Sequence, residues 1–149
     1  MSDEERVYGD NLWQADLPDL GDGVRGLRLA RSEDCHLVAA VWELESGTVL
    51  GPYHLHHGAD EYLLVLRGRP TLRTPGGERV LDEGAAVQFP RGLDGAHQLR
   101  NDTDETVRYL MAAYHDSPEV IEYPDEGRVI VGAWTPDANG ERLFGEFHE

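Results

Sequence analysis

The feature that most limits how this chain can fold is a series of short apolar stretches punctuated by turn residues. "VRGLRLAR", "CHLVAAVWELESG", "EYLLVLRGR", "TLRTPGG", "ERVLDEG", "AAVQFPRG", "AHQLRNDTD" and "ETVRYLMAAY" follow one another along it. They recur about every ten residues with Gly, Pro, Asn and Asp between them, the spacing of an all-β sandwich or barrel. No segment before Ser117 sustains a helical apolar period. Gly76-Gly77 between "TLRTP" and "ERVL" predicts a hairpin, and "NDTDE" predicts another. Residues 1–149 read as one domain, without a repeat or linker. Residues 1–20 read as an arm that can hold an edge strand. Past Tyr114 the texture changes, and residues 115–149 form an extension. There Ser117 and Pro118 predict a single helical turn that Pro124 ends. "RVIVGAW" predicts a late strand, and "ERLFGEFHE" a tail whose Phe144 and Phe147 dock on the domain.

Charge narrows the partners. The net charge is −16, and all thirteen basic residues are arginine. A phosphate backbone or an anionic membrane surface would be repelled, and no basic stripe offsets this. No apolar run approaches a membrane span. The acidic start "MSDEERVYGD" lacks the features of a secretory signal, so a cytoplasmic location is expected. Cys35 is the only cysteine. An internal disulfide is therefore impossible, a Cys-rich zinc site is excluded, and Cys35 reads as a small core residue.

The densest chemistry lies in "GPYHLHHGADEYLLVLRG", Gly51 to Gly68. His54 and His56 are two apart, so on a strand both face one way. His57 then points the other way. An unbroken strand would throw Glu61 to the opposite face, but Gly58 permits a bend after which Glu61 opens its own strand. His97 in "FPRGLDGAHQLRN" is the candidate fourth donor. Buried imidazoles and a carboxylate are costly unless something pairs with them. Three neutral imidazoles and one carboxylate suit Mn, Fe, Co, Ni, Cu or Zn rather than Ca or Mg. One divalent transition metal per chain is the expected cofactor.

These residues resemble the two cupin motifs. The first, G-x5-H-x-H-x3,4-E-x6-G, is matched by His54, His56, Glu61 and Gly68, with Gly47 one residue too far upstream. The second, G-x5-P-x-G-x2-H-x3-N, is matched by Gly84, Pro90, Gly92, His97 and Asn101, with four residues instead of two between Gly92 and His97. The similarity covers about residues 40–114, and the chain looks most like small single-domain bacterial cupins. The resemblance implies a double-stranded β-helix, a jelly-roll barrel, with a metal between its sheets held by the residues at His54, His56, Glu61 and His97. It hosts many activities, so the fold alone does not settle function.

Around that centre, Leu63, Val65 and Leu99 share parity with Glu61 or His97 and are expected to make an apolar cavity wall. Gln88 and Tyr109 are further pocket candidates; the opposite parity turns Val87 and Phe89 inward and Gln88 out. Arg69, Arg73 and Arg108 could clamp a substrate carboxylate, but each reads first as a strand arginine paired with one of the many acids. Asn101 reads as a turn residue. The expected function is a metal-dependent enzyme, dioxygenase-like by family analogy, acting on a small organic molecule. The alternative is a cupin that binds or senses a small ligand without transforming it. Exposed sheet edges lead to the expectation of a homodimer.

Overall fold

Alternating burial shapes the strands at the middle of the molecule. Along Ala59–Arg67, Leu63 and Val65 are buried while Tyr62 just before them is half exposed. Period-two alternation turns one face to the core and the other outward. The structure, a computed structural model, describes residues 11–30, 36–133, 141 and 144–148. Its strands form two antiparallel sheets. One runs in the order β1 (Asp19–Gly21), β2 (Val24–Ala30), β3 (Leu37–Leu44), β10 (Val107–His115), β5 (Ala59–Arg67) and β8 (Ala86–Phe89). The other runs β13 (Phe144–His148), β12 (Arg128–Gly132), β11 (Glu119–Tyr123), β4 (Val49–His56), β9 (His97–Arg100), β6 (Thr71–Thr74) and β7 (Gly77–Val80). The chain passes between sheets from β3 to β4, β4 to β5, β5 to β6, β7 to β8, β8 to β9, β9 to β10 and β10 to β11. The architecture is the all-β double-stranded β-helix expected from the sequence.

Leu44, Leu63, Leu72, Val107 and Tyr109 fill the space between the sheets, with Phe89 and Leu99 beside them. A second cluster lies on the outer face of the first sheet. There Leu17, with Leu12 and Ala15, covers Val41 and Leu66. Residues 12–17 thus shield an apolar outer face. They also cover Arg108, whose guanidinium donates to Glu43 at 2.9 Å through Nε and to the Leu12 carbonyl at 3.0 Å. Arg108 is therefore a buried, paired structural residue and does not line the cavity beside the histidines.

Gly68 closes the first motif for a steric reason. Its φ is +80°, and a Cβ there would lie 2.9 Å from the Thr106 carbonyl oxygen. Gly95, in the lengthened loop before His97, is tighter still, since a Cβ would lie 1.7 Å from the Pro90 oxygen.

Several local expectations are corrected. Gly76-Gly77 does form the β6–β7 hairpin, with Thr74 opposite Gly77. "NDTDE" turns the chain but makes no hairpin, because β9 and β10 belong to opposite sheets. Ser117–Pro124 forms no helical turn. The segment extends as β11 because β4 offers an open edge, pairing Ile121 with His56. Pro124 opens a 3-10 turn, Pro124–Glu126, that ends at left-handed Gly127. Phe144 and Phe147 do not dock; they are 67% and 60% exposed on β13, which joins the sheet through its backbone to β12. Cys35 lies outside the described residues. No helix among the described residues is long and apolar enough to cross a membrane.

Asn101 carries the turn after β9. Fully buried, it donates to the Leu44 carbonyl at 3.0 Å and the Glu105 carbonyl at 2.7 Å, and its Oδ1 accepts from the Thr103 N–H at 3.0 Å. Asn101→Ala strands these groups and is expected to cost about 2–3 kcal/mol. Calorimetry should show a melting temperature lower by about 5–10 °C.

Candidate metal centre

Strand pairing brings the three histidines together. His54 on β4 sits opposite His97 on β9, and alternation turns His56 to the same face as His54. The rings lie close, 5.1 Å between His54 and His56 and 4.6 Å between His54 and His97. Glu61 reaches in from β5 of the facing sheet, so the cluster spans the seam between sheets. Its Oε2 is 3.4 Å from both His56 Nε2 and His97 Nε2. The donor atoms of His54, His56 and Glu61 lie within 4.8 Å of one another and could hold a metal ion. Phe89 stacks on His97 at 3.8 Å and holds its ring plane.

Tautomers follow from the hydrogen bonds. His54 Nδ1 is 2.9 Å from the Pro52 carbonyl, and His97 Nδ1 is 2.9 Å from the Gly95 carbonyl. A carbonyl only accepts, so both Nδ1 atoms carry hydrogen and both Nε2 atoms present lone pairs when the rings are neutral. Burial pushes His97 down to about 4, against the pull of the Glu61 charge, and burial also lowers His54. His97 is therefore neutral at pH 7, and its Nε2 lone pair faces a carboxylate oxygen across 3.4 Å. Two acceptors meet with no proton between them, an arrangement that a shared cation relieves. Adjacent donors on an ion with bonds of about 2.1 Å stand about 3 Å apart, so the residues present fit a divalent ion.

His56 differs. Burial disfavours its charged form, but Glu119 and Glu61 outweigh that and raise its pKa. Its Nδ1 is buried with no hydrogen-bond partner. The Glu119 Oε1 atom is 3.6 Å away, a charge contact rather than a formed hydrogen bond. Sequence reasoning missed Glu119. It lies on β11, beyond both motifs, and a single glutamate opening a short apolar strand carries no signal of its own. Its carboxylate is almost fully buried, accepts N–H bonds from Gly58 at 3.0 Å and Val120 at 3.1 Å, and meets His115 Nδ1 at 3.3 Å.

The cluster opens into a cavity of about 270 Å³, walled by Trp42, Leu50, Pro52, Leu99, Tyr109, Met111, Ile121 and Tyr123. Leu99 and Tyr109 line it as expected. Leu63 and Val65 do not; they pack one layer away in the barrel core. Gln88 is exposed on the outer face of its sheet opposite Tyr62, while Val87 and Phe89 turn inward. His57 points outward to Glu122 at 3.0 Å. Arg69 is paired with Asp82. Arg73 is paired with Asp125 and stacked on Tyr53. No arginine lines the cavity. Burial, with the Glu61 charge adding to it, raises the Tyr109 phenol well above its ordinary pKa. Tyr109 is thus a neutral donor on the cavity wall.

For Glu119, burial favours the neutral acid, but His115, His56 and the Gly58 N–H overcome this and hold the carboxyl down to about 2. A carboxylate with a lowered folded pKa contributes stability that is complete above its unfolded value, about 4.3, and is lost as pH falls toward the folded value. Metal-free protein should therefore lose about 2–3 kcal/mol from this group between about pH 4.3 and pH 2. Denaturant titrations at stepped pH should show a smaller slope in Glu119→Gln than in the wild type, since the lowered carboxyls of Glu78, Asp102 and Asp125 are common to both.

Comparison with known proteins agrees with this fold. Residues 40–113 match the model of the cupin domain family. No curated protein matches the chain significantly. Among solved structures, a sugar phosphate isomerase of the cupin superfamily from Silicibacter pomeroyi superposes with a TM-score of 0.73 at 26% identity, over 86% of this chain and 78% of that one. A candidate sugar phosphate isomerase from Acidithiobacillus ferrooxidans gives 0.62 at 28% identity, over 74% and 67%. The polyketide cyclase RemF from Streptomyces resistomycificus shares the fold at 23% identity, with a TM-score of 0.56 over 66% and 70%. With both motifs folded into one barrel and the family model matched across it, this chain belongs to the cupin superfamily.

Proposed function

We propose that this cupin is a metal-dependent enzyme acting on a small organic molecule, with oxygenative cleavage as its reaction class. The observation that carries the metal is the bare contact between the His97 Nε2 lone pair and the Glu61 carboxylate at the base of the cavity. His54, His56, Glu61 and His97 would hold the ion. A bound divalent ion would supply Lewis-acid activation and, if redox-active, a partner for O2.

The chain's own residues then set the substrate class. Trp42, Leu50, Leu99, Met111 and Ile121 exclude water and accept an apolar or aromatic body. The Tyr109 phenol donates a hydrogen bond to a substrate oxygen held beside the cluster. Tyr123 stands at 6.0 Å from His54 and limits substrate length on that side. An uncharged molecule offering two neighbouring oxygens fits this lining. A sugar phosphate fits it poorly, because a phosphate in this cavity would meet no arginine, and the chain contains no lysine. The sugar phosphate isomerase names of the two structural neighbours nevertheless make that reaction the second reading.

Two measurements test the proposal. Metal-free protein should take up one divalent ion per chain, and His97→Ala should weaken uptake at least about 100-fold in chelator competition, since a first ligand is lost. Protein loaded in turn with Mn, Fe, Co, Ni, Cu and Zn should then consume O2 with enediol, flavonoid or β-diketone substrates. Isomerisation of a sugar phosphate without O2 uptake would replace the oxygenase reading with the second one. Ligand recovered unchanged after tight binding, with every metal, would make the protein a binding or sensing cupin.

A further inference from the structure

Two of the three histidines are tied the same way. His54 and His97 each give Nδ1–H to the backbone carbonyl two residues upstream, Pro52 and Gly95, both at 2.9 Å. His56 has no such bond, and its Nδ1 is the one buried side-chain polar atom without a hydrogen-bond partner among the described residues. What faces it is a carboxylate, Glu119 Oε1 at 3.6 Å.

We propose that Glu119 is a positioning residue for the metal centre, taking the Nδ1–H of His56 so that its Nε2 is turned to the ion beside Glu61. This rests on the ligand set proposed above. Glu119 comes from β11, outside residues 40–113 that match the family. Its carboxylate is itself fixed. Oε1 accepts from the N–H groups of Gly58 and Val120, and Oε2 meets His115 Nδ1 at 3.3 Å. Gly58 leaves room for it, since a Cβ there would stand 3.1 Å from Glu119 Oε2. β11 is aligned by pairing Ile121 with His56. A charge-assisted N–H···O bond closes at about 2.7–2.9 Å, so a shift of under about 1 Å completes this one. A carboxylate behind the ring makes the ligand more basic than the carbonyls behind its two neighbours do. His56, His115 and Glu119 also come close enough to hold a cation themselves. The positioning role is favoured because the buried Nδ1 of His56 lacks an acceptor and a Glu119 oxygen is what faces it.

The test uses full-length protein stripped of metal and titrated with Zn²⁺ against a chromophoric chelator. Wild type is expected to bind one ion per chain, and Glu119→Gln to bind it about 10–100-fold more weakly while near-ultraviolet circular dichroism of the metal-free form stays unchanged. A purely structural role would lower thermal stability and leave the dissociation constant where it was, which would overturn the proposal. Two Zn²⁺ ions per chain in wild type, one of them lost in Glu119→Gln, would overturn it in favour of a second cation site. Absence of Zn²⁺ binding to wild type would remove the ligand set itself. If the variant does not fold, histidine ¹⁵N spectra of Zn²⁺-loaded wild type decide: a protonated, slowly exchanging Nδ1 on His56 supports the role, and an unprotonated Nδ1 refutes it.

Discussion

The middle of this barrel is organised around a contact that is repulsive when bare. A neutral imidazole directs its lone pair at a carboxylate oxygen 3.4 Å away, both in a nearly dry seam. His56 Nε2 meets the same Glu61 oxygen at the same distance, no arginine lines the cavity, and its walls are largely apolar. The barrel supports this local penalty because its two sheets are joined by a large apolar core immediately below, from Leu44 and Leu63 to Val107. A stable shell can hold an unfavourable cluster in readiness for a cation, which is the usual relation between rigid scaffolds and reactive sites.

Two of the donors, His54 and His97, are restrained from behind. Backbone carbonyls of Pro52 and Gly95 set two rings, and Phe89 stacks on one of them. The glycine at 95 is forced by the close approach of the Pro90 oxygen, so the same tight loop that excludes a side chain also supplies the carbonyl for His97. Restraint of this kind favours metal binding, because a freely rotating imidazole gives up conformational entropy when it becomes a ligand.

Charge is arranged at two scales. The surface is strongly acidic, yet the arginines near the barrel are locked into pairs: Arg100 with Glu78 and Asp102, Arg91 with Asp60 and Asp116, Arg108 with Glu43 beneath the arm. The exposed pairs of Arg100 and Arg91 add little stability individually, whereas Arg108 and Glu43 are buried together. None of these guanidinium groups lines the cavity beside the histidines.

The strand pattern, the two motifs and the parity of His54 and His56 were all legible in the sequence, because period-two alternation and glycine-dependent turns are local properties. The errors arose where a local signal had two outcomes. "NDTDE" turns the chain in either case, but only the partner sheets decide whether the turn makes a hairpin. Gln88 and Val87 had equal claims to the interior until β8 paired with β5. Ser117–Tyr123 had weak helical signals that lost to the open edge of β4. Glu119 was invisible for the same reason: its importance comes from lying beside His56, 63 residues away in the chain. Sequence alone thus determined the all-β class and the donor types, since both follow from spacing along the chain. Tertiary structure alone decided which acids and apolar walls surround those donors, because contacts across a seam between sheets depend on register that no short stretch encodes.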